Sequence, residues 1–143
     1  MTIINLYIVT YKNHIGLHEC LESLNNTNIP AGVTLNINVI NNHSEFIIDE
    51  KFKNVNVMHN TLRPDFSTGH LSRSWNQAII HGFKTLVNPI AQIVIACQVD
   101  TVFSKDWLLK LIDLHQKYNF ISAGWGDAFL SFTVDGVRNI GLF

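Results

Sequence analysis

The amino-acid sequence predicts an α/β fold in which a mostly parallel sheet is flanked by helices. Segments rich in β-branched residues alternate with segments whose apolar residues have helical spacing, a pattern typical of parallel sheets. Residues 90–97 form an almost entirely apolar run, as expected of a central strand covered on both faces. The 143 residues, 47% of them hydrophobic and 15% charged, suffice for a substantial core. We therefore expect residues 1–143 to form a single domain.

The first part of the chain predicts three strands and one helix. Residues 3–10 are rich in Ile, Val and Tyr, which favours a strand. The stretch "HIGLHECLESLNN" then carries four apolar residues near helical spacing: Ile15, Leu17, Leu21 and Leu24. Residues 33–42, "VTLNINVINN", alternate between apolar side chains and Thr or Asn, so we expect a strand with one buried face. The stretch "NVNVMH" predicts a short third strand.

The remainder of the chain predicts two more helices and three more strands. The first of these helices is indicated by the spacing of Leu71, Trp75, Ile79 and Phe83. The apolar strand at 90–97 follows. The next helix is expected to begin at Ser104 and to bury Trp107, Leu111, Leu114 and Tyr118, with Asp106–Lys110 and Asp113–Lys117 spaced for ion pairs on its outside. The stretches "FISAG" and "AFLSFTV" predict the last two strands.

Composition and charge argue against several classes of function. The net charge of −1 gives no sign of a nucleic-acid partner. No apolar run approaches the roughly 20 residues that a transmembrane helix needs, and the N-terminus lacks the basic start and cleavage site of a signal peptide. The two cysteines, Cys20 and Cys97, do not form a disulfide framework. We therefore expect a cytoplasmic protein without a transmembrane segment.

Polar or amphipathic residues follow the expected carboxyl ends of three strands. In an open α/β sheet, ligands bind in the crevice beyond these ends. We therefore expect a single crevice, and its lining consists of Thr10 and Tyr11 after the first strand, Asn41, Asn42, His43 and Ser44 after the second, and Gln98, Val99 and Asp100 after the central one.

Gln98 and Asp100 have the chemistry to hold a hard cation. They are two residues apart, so in an extended chain their side chains point to the same side. Mg²⁺ or Mn²⁺ often uses only one or two carboxylates and completes its coordination with water and substrate phosphates. One acid and a diphosphate are therefore chemically sufficient. The alternative is that Asp100 caps the loop before the following helix, and the pattern alone leaves both interpretations open.

The order and spacing of several motifs resemble glycosyltransferases of the GT-A fold, in particular those of family 2. The first strand ends in "VTYKN", similar to the family's Pro-Thr-Tyr-Asn turn, and the second in "INNHS", similar to its Val-Asp-Asn-x-Ser turn. A helix bearing Asn76 follows, and the apolar strand ends in "QVD", where the family has Asp-x-Asp, before a helix that starts "DWL". The closing "GDAFLSFTVDGVRNIGLF" resembles the family's late segment. Related sequences continue beyond it, so we expect the domain to be incomplete at its C-terminal end.

The resemblance implies a Rossmann-like domain that binds a UDP-sugar and transfers the sugar to a hydroxyl of a glycan or glycoprotein. In an inverting enzyme of this kind, the acceptor hydroxyl displaces the nucleoside diphosphate in one step, with Mn²⁺ or Mg²⁺ neutralising the charge on that diphosphate. Asp100 would hold the metal. A carboxylate must take the acceptor proton. The resemblance implies as this catalytic base either Asp127, in "GWGDAF", which is the best candidate in this chain, or a residue beyond Phe143.

The nucleotide-binding residues implied by the resemblance are Thr10, Tyr11, Asn41, Asn42, Arg73, Gln98, Val99 and Asp100. Tyr11 would flank the base or ribose, and Arg73 would pair with the diphosphate. Two residues depart from the family: Gln98 replaces the first acid of Asp-x-Asp, and Asn41 replaces the acid that accepts the N3–H of uracil. An Asn oxygen can accept that hydrogen bond, and Gln98 can bond a ribose hydroxyl. The departures also leave open a rival hypothesis, a nucleotide-binding module without transferase activity.

Overall fold

The computed structural model describes residues 1–60, 70–124 and 128–143. Within these ranges the chain forms six strands and four α-helices. The elements are, in chain order, β1 (Thr2–Thr10), α1 (His14–Asn25), β2 (Val33–Asn41), β3 (Asn56–His59), α2 (His70–Phe83), β4 (Ile93–Gln98), α3 (Trp107–His115), β5 (Phe120–Ala123), β6 (Phe129–Thr133) and α4 (Val134–Ile140). A single 3-10 turn, Glu50–Phe52, lies between β2 and β3.

The strands form one mixed sheet in the order β3-β2-β1-β4-β6-β5. β1 pairs in parallel with β2 and β4, and β2 pairs in parallel with β3. Only β6 runs against its neighbours, β4 and β5. The chain moves from β1 towards one edge of the sheet through β2 and β3, and then continues on the other side of β1 with β4. This change of direction beside β1 is where open α/β sheets bind ligands.

Helices cover both faces of the sheet and create two apolar cores. On one face, the buried residues of α1 and α3 pack against β1, β2 and β4; they include Leu17, Leu21, Leu24, Trp107, Leu108 and Leu111. On the other face, α2 and α4 contribute Trp75, Ala78, Ile79, Phe83 and Val137. β4 belongs to both cores, because Ile95 faces one and Val94 the other. The predicted α/β fold with a central apolar strand is therefore confirmed, although that strand begins at Ile93 rather than at residue 90.

The apolar face of α1 differs from the predicted one. Ile15 is 76% exposed, whereas Cys20 is fully buried and occupies the face that also carries Leu17 and Leu21. The reason is geometric: Ile15 lies two residues before Leu17, and residues two apart on a helix do not share a face.

The helix expected from Ser104 is shorter than predicted. α3 begins at Trp107 and ends at His115, so Tyr118 lies beyond it and is 57% exposed. Leu114 is on the helix but is 44% exposed. The predicted ion pairs of Asp106 and Asp113 are not formed: within the described ranges the salt bridges are Lys51–Glu22 and Arg138–Asp135.

β2 is more deeply buried than its alternating pattern predicts. Asn38, expected on the solvent face, is only 4% exposed. Its amide donates to the carbonyl of Leu6 at 3.2 Å and accepts from Asn56 at 3.4 Å. Nearby, the Asn36 amide donates to Asn5 Oδ1 at 2.9 Å. Because asparagines satisfy one another across β1, β2 and β3, polar residues can lie on an interior face without a large desolvation cost.

Candidate functional site

Three strand ends meet at one edge of the sheet. Thr10, the last residue of β1, pairs with Asn41 at the end of β2. On the other side of β1, Val9 pairs with Gln98 at the end of β4. The backbone N–H of Asn42 donates to the Thr10 carbonyl at 3.0 Å, which continues the pairing beyond the strands. The structure therefore brings Thr10, Asn41 and Gln98 to the same edge of the sheet, where the crevice is expected.

Asn41 is buried and its side chain shapes the turn after β2. Only 3% of the residue is exposed. Its Oδ1 accepts from the His43 backbone N–H at 3.1 Å, and its Nδ2 donates to the His43 carbonyl at 2.6 Å. The same Nδ2 lies 3.0 Å from Nδ1 of His59. A hydrogen bond to a nucleotide base would therefore depend on the second lone pair of Oδ1.

Asn42 connects the end of β2 to α2. It is 3% exposed, its Nδ2 donates to Ser74 Oγ at 3.1 Å, and its Oδ1 accepts from Asn60 at 2.7 Å. Asn60 in turn exchanges two hydrogen bonds with Gln77, at 3.1 and 3.2 Å. Both ends of the Asn42 amide are therefore hydrogen-bonded within the protein, and its contact with a nucleotide stays a prediction.

An aromatic pair lies at the mouth of the crevice between β1 and β2. The rings of Tyr11 and His43 are edge-to-face, with centroids 5.0 Å apart. His43 Nδ1 also accepts from the backbone N–H of Glu45 at 3.0 Å. His43 was among the residues expected at the carboxyl end of the second strand, but its contact with Tyr11 was not predicted. Together the two rings form a partly exposed aromatic surface next to the strand ends.

Asp100 is exposed at the carboxyl end of β4. Within the described part of the chain its carboxylate makes no hydrogen bond or ion pair. The residue at the N-cap of α3 is Asp106, so Asp100 does not cap that helix. Gln98 and Val99 are half-buried, and the Gln98 carbonyl accepts from the Thr101 N–H at 3.1 Å in a tight turn. This turn presents the Asp100 carboxylate to solvent.

The loop after Asp100 is held by the C-terminal end of α1. Ser23 Oγ accepts from the backbone N–H of Phe103 at 3.0 Å. Thr27 Oγ1 accepts from the indole N–H of Trp107 at 2.8 Å. Asn28 donates its amide to Asp106 at 2.7 Å. These contacts join residues about 80 positions apart, and no local sequence pattern indicates them.

Arg73 is exposed on α2. It lines a depression of about 580 Å³ together with Asn60, Asn76, Gln77 and His81. None of the strand-end residues of β1 or β4 belongs to that depression. The predicted pairing of Arg73 with a diphosphate therefore has no geometric support and stays a prediction.

Two further expectations have different outcomes. Asp127, the predicted catalytic base, lies outside the described residues. For the metal, the described residues contain no cluster of three or more His, Cys, Asp or Glu side chains that could hold an ion. A cation at Asp100 would therefore need oxygen ligands from a substrate.

None of the helices in the described ranges is long and apolar enough to span a membrane.

The fold is shared with solved glycosyltransferase structures. The mannosyltransferase PcManGT from Pyrobaculum calidifontis, in complex with GDP-Man and Mn²⁺, matches this chain with a TM-score of 0.66 and 12% sequence identity. The match covers 98% of this chain and 47% of the mannosyltransferase chain. S. aureus TarS 1-349 has a TM-score of 0.63 and 14% identity over 97% of this chain and 49% of its own. TarS 1-349 in complex with UDP has a TM-score of 0.59 and 12% identity over 97% of this chain and 48% of its own.

The chain thus spans about half the length of these structures. No protein-family model matches the sequence, and no characterised protein matches it at a significant level of sequence similarity. At identities of 11–14% the likeness establishes the fold alone: this chain has the mixed, mostly parallel α/β sheet of GT-A glycosyltransferases.

Proposed function

We propose that this chain carries the nucleotide-sugar site of a glycosyltransferase. The donor is a UDP-sugar, the acceptor is a hydroxyl of a glycan or glycoprotein, and the transfer inverts the anomeric centre with the help of Mn²⁺ or Mg²⁺. The observation that carries the proposal is the exposed Asp100 carboxylate, without a partner in the described part of the chain, at the strand-end crevice. Proteins of the same fold have been solved with GDP-Man and Mn²⁺ and with UDP.

The residues around Asp100 fit a divalent cation that is shared with a substrate. Asp100 supplies one carboxylate oxygen, and Gln98, two residues earlier, supplies an amide. When bound, the metal would neutralise negative charge on the leaving diphosphate. Because Mg²⁺ and Mn²⁺ accept one or two carboxylates when phosphates complete their coordination, Asp100 should bind a cation feebly alone and firmly with UDP.

The other strand ends suit the nucleoside. The edge-to-face rings of Tyr11 and His43 offer an aromatic surface on which a base can pack. Asn41 retains one lone pair on Oδ1 for the N3–H of uracil. Gln98 is placed after β4, next to Val9 of β1, where its amide can bond a ribose hydroxyl.

In the proposed reaction the acceptor hydroxyl oxygen attacks the anomeric carbon while the bond from that carbon to the diphosphate oxygen breaks. The hydroxyl proton passes to a carboxylate, which we propose is Asp127. Asp127→Asn should therefore abolish transfer and leave the affinity for UDP unchanged. A parallel loss of UDP affinity would assign Asp127 to the donor site instead of to proton transfer.

Calorimetric titration of UDP tests the metal site. The parent protein and the Asp100→Asn variant are each titrated with Mn²⁺ and with a chelator. We expect Mn²⁺ to raise the affinity of the parent for UDP by roughly tenfold or more, the scale of a charge-assisted contact, and to have no effect on the variant. Asp113→Asn, which removes an exposed carboxylate from α3, should behave like the parent.

Two outcomes would contradict this assignment. If UDP affinity in the parent does not depend on the metal, Asp100 does not hold a cation. If Asp100→Asn keeps the full metal effect, other residues bind the ion. A parent that binds UDP with Mn²⁺ but neither hydrolyses nor transfers from any UDP-sugar would favour the inert nucleotide-binding module, which is the rival suggested by Gln98 in place of an acid.

A further inference from the structure

A pocket of about 680 Å³ opens at the carboxyl end of β4, between α3, β5 and the loop that follows Asp100. Gln98 and Asp100 belong to its lining, so it adjoins the proposed metal site. Its volume lies within the range of about 300–1,000 Å³ that is usual for small-molecule sites. The depression beside Arg73 shares no residue with it.

Three aromatic rings form the apolar side of this pocket. Phe103 lies 4.6 Å from Trp107 and 6.1 Å from Phe129, measured between ring centroids. Trp107 and Phe129 are 6.4 Å apart. The indole N–H of Trp107 is already bonded to Thr27 Oγ1, so the ring offers the pocket apolar surface only. Leu111, Leu114 and Ile121 extend this surface.

Three of the polar residues of the lining belong to one short segment, residues 98–101. Gln98, Asp100 and Thr101 are contributed by the turn after β4, and Thr101 Oγ1 lies 3.4 Å from the Ala128 carbonyl, to which it donates. Lys110 also lines the pocket, and its side chain has no ion pair or hydrogen bond within the described ranges. Its alkyl stem can pack against apolar ligand atoms while the ammonium stays in water. The pocket is therefore amphipathic, with its polar end at Asp100.

We propose that this pocket binds the apolar body of the acceptor, an alkyl or aryl group attached to the glycan that receives the sugar. The proposal rests on the proposed transferase function and names the class of acceptor. A carbohydrate without such a group would place hydroxyls against the rings of Phe103, Trp107 and Phe129, where they would lose hydrogen bonds to water. An alkyl or aryl group instead removes apolar surface from water on both partners.

The position of the pocket also suits transfer. The acceptor hydroxyl must reach the carbon that is bonded to the diphosphate. Asp100 would hold the cation on that diphosphate and also lines the pocket. An acceptor with its apolar end between α3 and β5 therefore presents its polar end to the donor without occupying the nucleotide crevice between β1 and β2.

Two glycosides that differ only in their apolar group test the proposal. n-Octyl β-D-glucoside, below its micelle concentration, and methyl β-D-glucoside are titrated into the parent protein by calorimetry. We expect the octyl compound to bind at least about tenfold more tightly, because it removes several additional CH₂ groups from water. Equal affinities for the two glycosides would overturn the proposal.

Two leucines on α3 provide a matched pair of variants. Leu114 lines the pocket and is 44% exposed, whereas Leu109 is 52% exposed on the same helix and does not line it. Leu114→Gln should weaken octyl glucoside binding by roughly fivefold, for the loss of part of one apolar side chain. Leu109→Gln should bind like the parent. An equal effect of the two substitutions, with unchanged melting temperatures, would mean that the glycoside binds elsewhere.

A third titration separates this proposal from the proposed function. Octyl glucoside should bind equally well in the presence of UDP and Mn²⁺, since the alkyl chain lies between α3 and β5 and the pocket shares only Gln98 and Asp100 with the proposed donor site. Displacement by UDP would assign the pocket to the donor and overturn the acceptor proposal. If UDP does not bind but the octyl and Leu114 effects are observed, the transferase function fails while the apolar ligand class of the pocket is supported.

Discussion

Among single residues, Asn41 combines a position at the crevice with a role in the fold. Its amide makes two hydrogen bonds with the backbone of His43 and one contact with His59. Asn41→Ala removes these part-buried hydrogen bonds, so we expect the free energy of unfolding to fall by about 1–3 kcal/mol and UDP affinity to fall with it. Urea denaturation and UDP titration measure the two effects.

The control for Asn41 is Asn54, an exposed asparagine whose side chain makes no hydrogen bond within the described ranges. Asn54→Ala should leave both stability and UDP affinity unchanged. If Asn41→Ala were as stable as the parent, the hydrogen bonds of the Asn41 side chain would contribute nothing to stability. If its stability fell while UDP affinity did not, Asn41 would be a structural residue alone.

His115 makes the stability of the protein depend on pH. Its Nδ1–H donates to the Tyr118 carbonyl at 2.9 Å, and its Nε2 accepts from the buried Ser131 hydroxyl at 2.7 Å. Burial lowers the pKa of His115 below the ordinary value of 6.5. The folded state thus takes up the proton less readily than the unfolded state. The contribution of neutral His115 to stability is therefore complete above pH 6.5 and decreases as the pH falls towards the folded-state pKa.

Unfolding measurements at about pH 7.5 and about pH 5 check this sign. The parent should lose more stability over that interval than His115→Gln, which can still hydrogen-bond but does not titrate. The other histidines are present in both proteins, so their effects cancel in the difference. Equal losses in parent and variant would show that His115 is not the titrating group.

The positions of the site residues were predictable, but their hydrogen bonds were not. Thr10, Asn41 and Gln98 could be expected at one edge because parallel strands share the direction of their ends. That Asn41 would bond His59 depends on the register of β2 against β3, in which these two residues pair. The sequence pattern does not specify that register, because β3 has only four residues and β2 carries asparagines on the face that the pattern assigns to solvent.

At the scale of secondary-structure elements, the approach of α2 to the sheet depends on Gly82. A Cβ atom added there would lie 2.6 Å and 2.9 Å from the two methyl groups of Val94 and 3.1 Å from the Tyr7 ring. Gly82→Ala should therefore destabilise the protein by about 1–3 kcal/mol through overpacking, although alanine is the better helix former by about 1 kcal/mol.

A double-mutant cycle distinguishes this clash from a general effect on the helix. Val94→Ala removes the two methyl groups that the new Cβ would meet. In that background Gly82→Ala should be neutral or stabilising, because space and helix propensity then favour alanine. If Gly82→Ala cost the same in both backgrounds, Val94 would not be the source of the penalty.

The elements themselves were predicted where periodicity was strong. Trp75, Ile79 and Phe83 of α2 are buried as expected. α4 was missed because it has only seven residues, too few to establish a periodic pattern. Its start depends on Thr133, whose hydroxyl accepts from the Gly136 N–H at 3.2 Å. The Asn side chains on β2 were expected to face solvent, but they are hydrogen-bonded inside the protein. Their partners, such as Leu6 and Asn5, lie more than 30 positions away in the sequence, so no local pattern reveals them.

At the scale of the whole molecule, the two cores share one sheet, and β4 connects them. The α/β class could be predicted because strand-like and helix-like patterns of apolar residues alternate along the sequence. Each pattern reflects local secondary structure that is present in the folded protein. The antiparallel pairing of β5 with β6 was not foreseen, although the few residues between them exclude a parallel crossover. The insertion of β6 between β4 and β5 had no sequence signal, since strand order depends on long-range packing. It widens the sheet beside the end of β4, where the amphipathic pocket forms.

The two cysteines report whether this architecture unfolds as one unit. Cys20 on α1 and Cys97 on β4 are both fully buried in the same core. The hydrogen bond with the Cys20 thiol, together with burial, raises the pKa of Cys97 well above its ordinary value. Thiol reagents attack the exposed thiolate, so neither cysteine should react until the core opens.

If α1 leaves the sheet only when the whole domain unfolds, both thiols should be labelled at one rate. That rate should equal the labelling rate in strong denaturant multiplied by the unfolding equilibrium constant from urea denaturation, provided that refolding is faster than labelling. Mass spectrometry of the labelled peptides measures each cysteine separately. Faster labelling of Cys20 at low urea would show that α1 detaches locally. Because Ser23, Thr27 and Asn28 hold the loop after Asp100, such detachment would also release the candidate metal-binding turn, and Mn²⁺ with UDP should then slow the labelling of Cys20 more than that of Cys97.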